Sequence, residues 1–122
     1  MKYEELTSKI IECAFKVHKT LGFGFLENVY QNALLFELSE AGLNAEKEKR
    51  IQVLYSGQIV GDYLADILVE NKVILELKST KDLHLAHEAQ LVNYLRATGM
   101  EVGLLINFGD RVEIKRKVLD HS

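Results

Sequence analysis

The sequence predicts a single α/β domain in which helices pack against a mixed β-sheet. Its length of 122 residues suits one hydrophobic core and is too short for two. Two segments with helical apolar periodicity come first, and short apolar or alternating runs follow, with a third helical segment among them. The predicted order of elements is ααββββαββ, and such mixing of strands and helices is typical of α/β domains.

The composition is that of a globular protein, since 48% of the residues are hydrophobic and 27% are charged. Cys13 is the only cysteine, so no internal disulfide can form and we expect a reducing, cytoplasmic location. We expect no signal peptide and no membrane partner, because the first residues are polar and no apolar run approaches the ~20 residues that cross a bilayer. The net charge of −3 argues against a broad basic surface for nucleic acid, although metal-binding carboxylates would contribute to that charge.

Two amphipathic helices open the predicted fold. We expect the first over Glu4–Thr20 and the second over Phe25–Ala41, because apolar residues recur in both at spacings of three and four. Glu27 falls in the first turn of the second helix and borders its apolar face. The helix dipole favours an acid there, so Glu27 by itself need not be functional.

Two strands are expected next, over Lys47–Tyr55 and Gln58–Leu64, with a turn at Ser56-Gly57 between them. The second strand is expected to bend at Gly61 and to lead into a further strand. The charged residues at the start of the first strand predict a solvated sheet edge.

The stretch from Ala65 to Ser79 holds two apolar runs that each carry charged residues, Asp66 in the first and Glu76 with Lys78 in the second. Side chains alternate along a strand, so Glu76 and Lys78 share one face. Charges in such apolar strands are costly to desolvate. One explanation is a structural ion pair at a sheet edge. The other is a metal site, because two converging carboxylates bind a hard cation such as Mg²⁺ and a lysine beside them can orient water.

Whether the loop of this hairpin has an odd or an even number of residues decides whether the two carboxylates lie on the same face. Opposed residues on antiparallel strands share a face, and a two-residue turn would place Asp66 opposite Leu77, away from Glu76. The metal hypothesis therefore predicts a bulge or a three-residue loop at Glu70-Asn71-Lys72, with residue 69 opposite 73 and Asp66 opposite Glu76. Asn71 tolerates the left-handed conformation that such a loop requires.

The third helix is expected over Leu83–Thr98, with Asp82 as its N-cap. Gln90 and Tyr94 are four residues apart and therefore neighbours on its inner face, where the glutamine could also be a satisfied buried amide. His87 lies three residues after a second histidine, but no third ligand completes a zinc set, so we expect it to be exposed or to face a substrate. The last two strands are expected over residues 102–108 and 111–118.

Taken together, the chain resembles the GxxExxY family, which belongs to the PD-(D/E)xK nuclease superfamily on the side nearest the RecB-like enzymes. The resemblance covers roughly residues 5 to 118, and Ala65 stands where the superfamily motif has its proline. The motifs in chain order are Gly24-Phe25-Leu26-Glu27-Asn28-Val29-Tyr30, Asp66, Glu76-Leu77-Lys78, His87-Glu88-Ala89-Gln90 with Tyr94, and Leu104-Leu105-Ile106-Asn107-Phe108-Gly109.

The resemblance implies a restriction-endonuclease-like core, with a mixed sheet flanked by helices, and a nuclease that uses Mg²⁺ or Mn²⁺. It implies that Lys78 orients the attacking water and that Glu27 assists the metal. The implied metal ligands are Asp66, Glu76, the backbone carbonyl of Leu77 and Glu27. The residues expected to face the nucleic acid are Gln90, Tyr94, His87 and Tyr30.

We therefore expect a Mg²⁺-dependent phosphodiester hydrolase whose partner is nucleic acid, with DNA favoured. The first alternative is a domain of the same fold that binds nucleic acid or a protein without cleaving anything, which the acidic balance and small size would suit. The second is a structural ion-pair cluster without metal. A chain of this size could also need a second copy of itself, as a homodimer, to hold a duplex.

Overall fold

The computed structural model describes residues 2–121, which form three helices and one five-stranded sheet. The elements are α1 (Glu4–Leu21), α2 (Glu27–Glu40), β1 (Ala45–Tyr55), β2 (Gln58–Val69), β3 (Val73–Lys78), α3 (Leu85–Thr98), β4 (Val102–Phe108) and β5 (Val112–Val118). None of these helices is long and apolar enough to span a membrane.

The observed order, ααβββαββ, has one strand fewer than predicted. The expected strand that ended at Leu64 and the one that began at Ala65 are a single strand, β2. The bend expected at Gly61 does not end the strand, because β1 pairs with β2 on both sides of it, from Ala45 opposite Val69 to Tyr55 opposite Gln58. A shift of register next to Val53 absorbs the irregularity there without ending the strand.

The sheet is mixed, as predicted, and its spatial order β1-β2-β3-β4-β5 follows the chain. Only β3 and β4 are parallel, and the other neighbours are antiparallel. Parallel neighbours need a crossover connection, and α3 provides it. The α/β fold class with a mixed sheet flanked by helices is thereby confirmed.

Helices cover both faces of the sheet. Residues of α1 and α2, such as Ile10 and Leu34, pack on one face, and residues of α3, such as Leu91, pack on the other. Every residue of β4 is consequently buried. Gly103 on β4 lets α3 approach closely, because a Cβ there would lie 2.7 Å from the Leu91 side chain. The position of α3 relative to the sheet is therefore set by direct contact with β4.

The loop between β2 and β3 has the predicted three residues, Glu70-Asn71-Lys72, with Val69 opposite Val73. Both Glu70 and Asn71 adopt positive φ, 52° and 54°. Glu70 is held by Asn44, whose carbonyl accepts from the Glu70 amide at 2.8 Å and whose amide donates to the Glu70 carboxylate at 2.6 Å. The loop therefore places the two strands in the register that brings the carboxylates together.

Candidate functional site

The candidate site lies where β2 and β3 separate. Their paired register ends at Ile67 opposite Leu75, and its continuation places Asp66 opposite Glu76 on one face. Beyond this point β2 remains paired only with β1. Glu48, which the register of β1 sets across from Asp66, has a φ of 56°. The β1 strand is thus distorted across from the residue that carries the first carboxylate.

Two hydrogen bonds fix Asp66. Its Oδ2 accepts from the Leu77 amide at 2.6 Å, so the carboxylate is tied to the peptide that follows Glu76. Its backbone carbonyl accepts from Nε2 of Gln31 at 2.8 Å. Gln31 is a buried residue of α2, and its amide replaces the ladder bond that a neighbouring strand would otherwise supply.

Glu76 is only 6% exposed, and its Oε1 has no hydrogen-bond partner among the described residues. Burial, together with the nearby charge of Asp66, raises the pKa of Glu76 to about 9, while Lys78 opposes the rise. A buried carboxylate oxygen without a partner needs an explanation. A cation bound between Glu76 and Asp66 would satisfy this oxygen and offset the repulsion, so the two residues fit a metal site.

Lys78 ends β3 on the same face as Glu76 and is half-buried. Its charge acts on Glu76 and also on His87 of α3, whose pKa it helps to lower after burial, the largest cause. The charge of Lys78 therefore acts on both Glu76 and the first turn of α3.

Glu27 is the first residue of α2 and is exposed. Its charge raises the pKa of His87, against the larger lowering by burial, Lys78 and His84. Within residues 2–121, no three His, Cys, Asp or Glu side chains lie close enough to hold one metal ion. Glu27 does not complete a ligand set with Asp66 and Glu76, and its direct metal ligation stays a prediction.

The start of α3 differs from the predicted one. The helix begins at Leu85 with His84 as N-cap, whereas Asp82 lies in the preceding turn, where its carbonyl accepts from the Thr80 hydroxyl at 2.9 Å. The His84 amide donates to Nδ1 of His87 at 3.4 Å. His87 therefore helps to cap the helix and is at the same time half-buried beside Lys78.

Gln90 and Tyr94 line a groove beside α3, and neither Asp66 nor Glu76 is among its lining residues. Burial, followed by the charges of Glu76, Tyr63 and Asp66, raises the pKa of Tyr94 to about 12. The Tyr94 ring packs against Tyr63 with centroids 5.6 Å apart. The groove has a volume of about 750 Å³. It lies between α3 and residues 50–64 of β1 and β2, which we call the ribbon. Half-buried Gln90 lines this groove and is therefore not a core amide, and its contact with a substrate stays a prediction.

Tyr30 does not reach this groove, contrary to its expected place among the substrate-facing residues. It is fully buried, its hydroxyl donates to the Gly22 carbonyl at 2.5 Å, and its ring stacks on Phe108 at 4.5 Å. Its hydroxyl also accepts from the Phe25 amide at 3.4 Å. Tyr30 therefore acts in the core, where it holds the loop that leads to Glu27.

Two residues position the site in ways that were not assigned from the sequence. Gln31 was missed, and the periodicity of α2 gave no signal for it. Asn107 stands in the last motif without a role: its amide accepts from the Thr80 amide and donates to the Thr80 carbonyl, both at 2.9 Å, and so holds the chain that follows Lys78. Asn107 is fully buried, and a single amide inside an otherwise apolar strand was a signal that could have found it.

Comparison with known proteins gives one family and several similar structures. The sequence profile of a family described as the PD-(D/E)XK nuclease superfamily matches residues 4–117. None of the curated proteins matches this sequence.

Three crystal structures are similar to the fold. SSO0001 is 23% identical with a TM-score of 0.58, over 95% of this chain and 62% of that one. The alkaline exonuclease LHK-Exo from Laribacter hongkongensis is 14% identical with a TM-score of 0.50, over 98% and 72%. Hjc from Archaeoglobus fulgidus, a Holliday junction resolvase, is 26% identical with a TM-score of 0.46, over 74% and 73%. The present chain thus spans less than two thirds of the length of SSO0001.

Proposed function

The chain belongs to the PD-(D/E)XK nuclease superfamily, and we propose that it is a Mg²⁺-dependent phosphodiester hydrolase of the GxxExxY group that acts on DNA. The observation that carries the proposal is the buried Oε1 of Glu76, which has no hydrogen-bond partner among the described residues. The charge of a second carboxylate, that of Asp66, acts on the same group. DNA is proposed because the motif set resembles the RecB-like side of the superfamily. Mn²⁺ is expected to replace Mg²⁺.

The metal would be held by Asp66, Glu76 and the backbone carbonyl of Leu77, with water in the remaining positions. The bond between the Leu77 amide and Asp66 supports this set, because it fixes the peptide that follows Glu76 relative to the other carboxylate. When bound, Mg²⁺ polarises the scissile phosphate and lowers the pKa of a bound water.

The protein's own residues would orient the reactants. Lys78, on the face of Glu76, would position the attacking water and offset charge that develops on the phosphate. Glu27 and His87, whose charges interact, would assist through hydrogen bonds to that water or to the phosphate. Gln90, which lines the groove beside Tyr94, would contact the nucleic acid.

The second candidate is a domain that binds nucleic acid or a protein without cleavage. It is favoured by the net charge of −3 and by basic side chains that are already paired, such as Arg50 with Asp62 and Lys117 with Glu88. Calorimetric titration with Mg²⁺ separates the two functions. Saturable binding that is lost in Asp66→Ala supports the hydrolase, and no binding in the wild type supports the second candidate.

The decisive experiment is cleavage of plasmid, linear duplex, single-stranded DNA and RNA with Mg²⁺ or Mn²⁺. We expect metal-dependent cleavage of at least one DNA substrate and a loss of about 10²-fold or more in Lys78→Ala, the size of loss seen when a transition-state contact is removed. The matched control is Lys72→Ala, because Lys72 lies in the loop at the opposite end of β3. Cleavage that survives in Lys78→Ala, or that falls equally in Lys72→Ala, contradicts the proposal.

A further inference from the structure

The ribbon is a two-stranded extension of the sheet that carries a large apolar surface. Between Gln58 and Asp66, the register pairs β2 with β1 alone. Five of the ribbon's large apolar side chains are more than half exposed and a sixth, Tyr63, is 45% exposed. The full set is Leu54, Tyr55, Ile59, Val60, Tyr63 and Leu64.

The fold accounts for only part of this surface. Ile51 is buried in the cluster under α3, and Tyr63 packs against Tyr94, so the side of the ribbon toward α3 is anchored. The tip, where Leu54 is paired with Ile59, extends beyond that contact. Contiguous apolar side chains that remain exposed outside a core mark an interaction surface.

The charges of the ribbon indicate which kind of partner fits. Arg50 and Asp62 bind each other across the two strands, with Nε to Oδ1 at 3.0 Å and Nη2 to Oδ2 at 2.7 Å. No other charged side chain lies between residues 50 and 64. The ribbon is therefore apolar with its charges cancelled, which suits a surface of the same composition and does not suit the phosphate backbone of nucleic acid.

We propose that the ribbon binds the ribbon of a second copy of this chain. A two-fold dimer places the same patch on both sides, and this patch is self-complementary because it is apolar and internally neutral. Successive side chains alternate, so Leu54 and Tyr55, like Tyr63 and Leu64, lie on opposite faces of the ribbon. At roughly 100 Å² for each large side chain, the six expose on the order of 600 Å² over both faces, so a dimer in which each ribbon covers both faces of the other approaches the ~800 Å² that each partner buries in a standard interface. The proposal does not depend on the nuclease activity.

The free edge of β2 supports the same partner. Where β2 has no neighbour other than β1, its backbone is open to pairing with another strand. Between Gln58 and Asp66 the charged residues are Asp62, which is bonded to Arg50, and Asp66 at the candidate site, so the residues from Gln58 to Gly61 carry no charge that would protect the edge. A second copy would cover both the apolar side chains and this edge.

The first test is sedimentation velocity of the chain between ~1 and ~200 µM, a range that brackets the micromolar Kd expected of an interface of this size. We expect a concentration-dependent dimer that Leu54→Thr/Ile59→Thr/Val60→Thr shifts at least tenfold toward monomer. The control is Val118→Thr on β5, since Val118 is also apolar, in a strand and more than half exposed. A wild type that is monomeric throughout, or a dimer that the ribbon variant leaves intact, overturns the proposal.

A second test does not depend on how well the triple variant folds. Leu54→Cys, Ile59→Cys and Val60→Cys, made singly, place a thiol near the expected two-fold axis, whereas native Cys13 is buried and burial raises the pKa of its thiol. We expect mild oxidation to give a disulfide-linked dimer for at least one of these variants and none for Val118→Cys. Cross-linking at Val118→Cys alone, or at none of the ribbon positions, contradicts the assigned surface.

Discussion

The acidic residues at the two ends of the β2–β3 hairpin differ in how their carboxylates are hydrogen-bonded. At the loop end, the Glu70 carboxylate accepts from the Asn44 amide at 2.6 Å, and the Glu70 amide donates to the Asn44 carbonyl. At the site end, Glu76 is buried with one carboxylate oxygen unbonded. Satisfied polar groups stabilise a fold, whereas a buried unpartnered carboxylate destabilises it. The difference indicates that the acidic residue at the loop end stabilises the strand register, whereas the one at the site end is placed for binding.

The largest effect should come from Glu76→Gln, which removes the charge at the site end and keeps the size of the side chain. We expect loss of Mg²⁺ binding and a fall in cleavage of ~10²-fold or more. The metal-free protein should melt at the same or a higher temperature, because a repelled carboxyl is gone.

The matched control for that change is Glu70→Gln at the loop end, measured by calorimetry and cleavage assay beside it. It should leave metal binding and cleavage unchanged. Should Glu76→Gln lower the melting temperature while metal binding persists, the structural ion-pair explanation would be the better one.

The next effect separates the two residues of α3 that face the site. Tyr94 is buried and should lose about 3 kcal/mol of unfolding free energy on change to alanine, as large-to-small aromatic substitutions do. Gln90→Ala should change stability little and weaken cleavage or nucleic-acid binding, because Gln90 lines the groove. Urea unfolding of both variants measures this, and equal losses of stability would make Gln90 an ordinary core residue.

The pH dependence of stability should report Glu76 directly. Its pKa is raised from 4.5 to about 9 in the folded protein, so the folded state holds more protons than the unfolded state between these values. The stability contributed by Glu76 is then fully present below pH 4.5 and falls as the pH rises toward 9, by about 3 kcal/mol between pH 6 and pH 8.

Urea unfolding of the metal-free protein across this range measures the slope. Glu76→Gln should show a flatter profile, and Mg²⁺ should stabilise the wild type most at high pH, where the carboxyl is ionised. An identical slope in the variant would assign the effect to other groups.

The comparison also shows how far the sequence could predict the site. The alternation of side chains, together with the metal hypothesis, predicted the three-residue loop and the shared face of Asp66 and Glu76, because both depend on local register. Tyr30 and Gln31 could not be placed in this way, since their roles depend on contacts with Gly22 and Asp66 that only the packed fold creates. The cap of α3 was missed because Asp82 is drawn into a turn by Thr80, which local propensity does not show.

The smallest effects on stability are expected at the loop end, where the backbone strain at Glu70 and its hydrogen bond to Asn44 act in opposite directions. Glu70 adopts a left-handed conformation, which disfavours a side chain by ~1 kcal/mol, and its carboxylate bond to Asn44 contributes roughly as much in the other direction. Glu70→Ala keeps the strain and loses the bond, so it should destabilise by about 1 kcal/mol. Glu70→Gly loses the bond and relieves the strain, so it should be nearly neutral, within about 0.5 kcal/mol. Chemical denaturation of the two variants decides between these terms. If Glu70→Gly were as destabilising as Glu70→Ala, the backbone strain would be negligible and the bond to Asn44 would alone hold the register that brings Asp66 to Glu76.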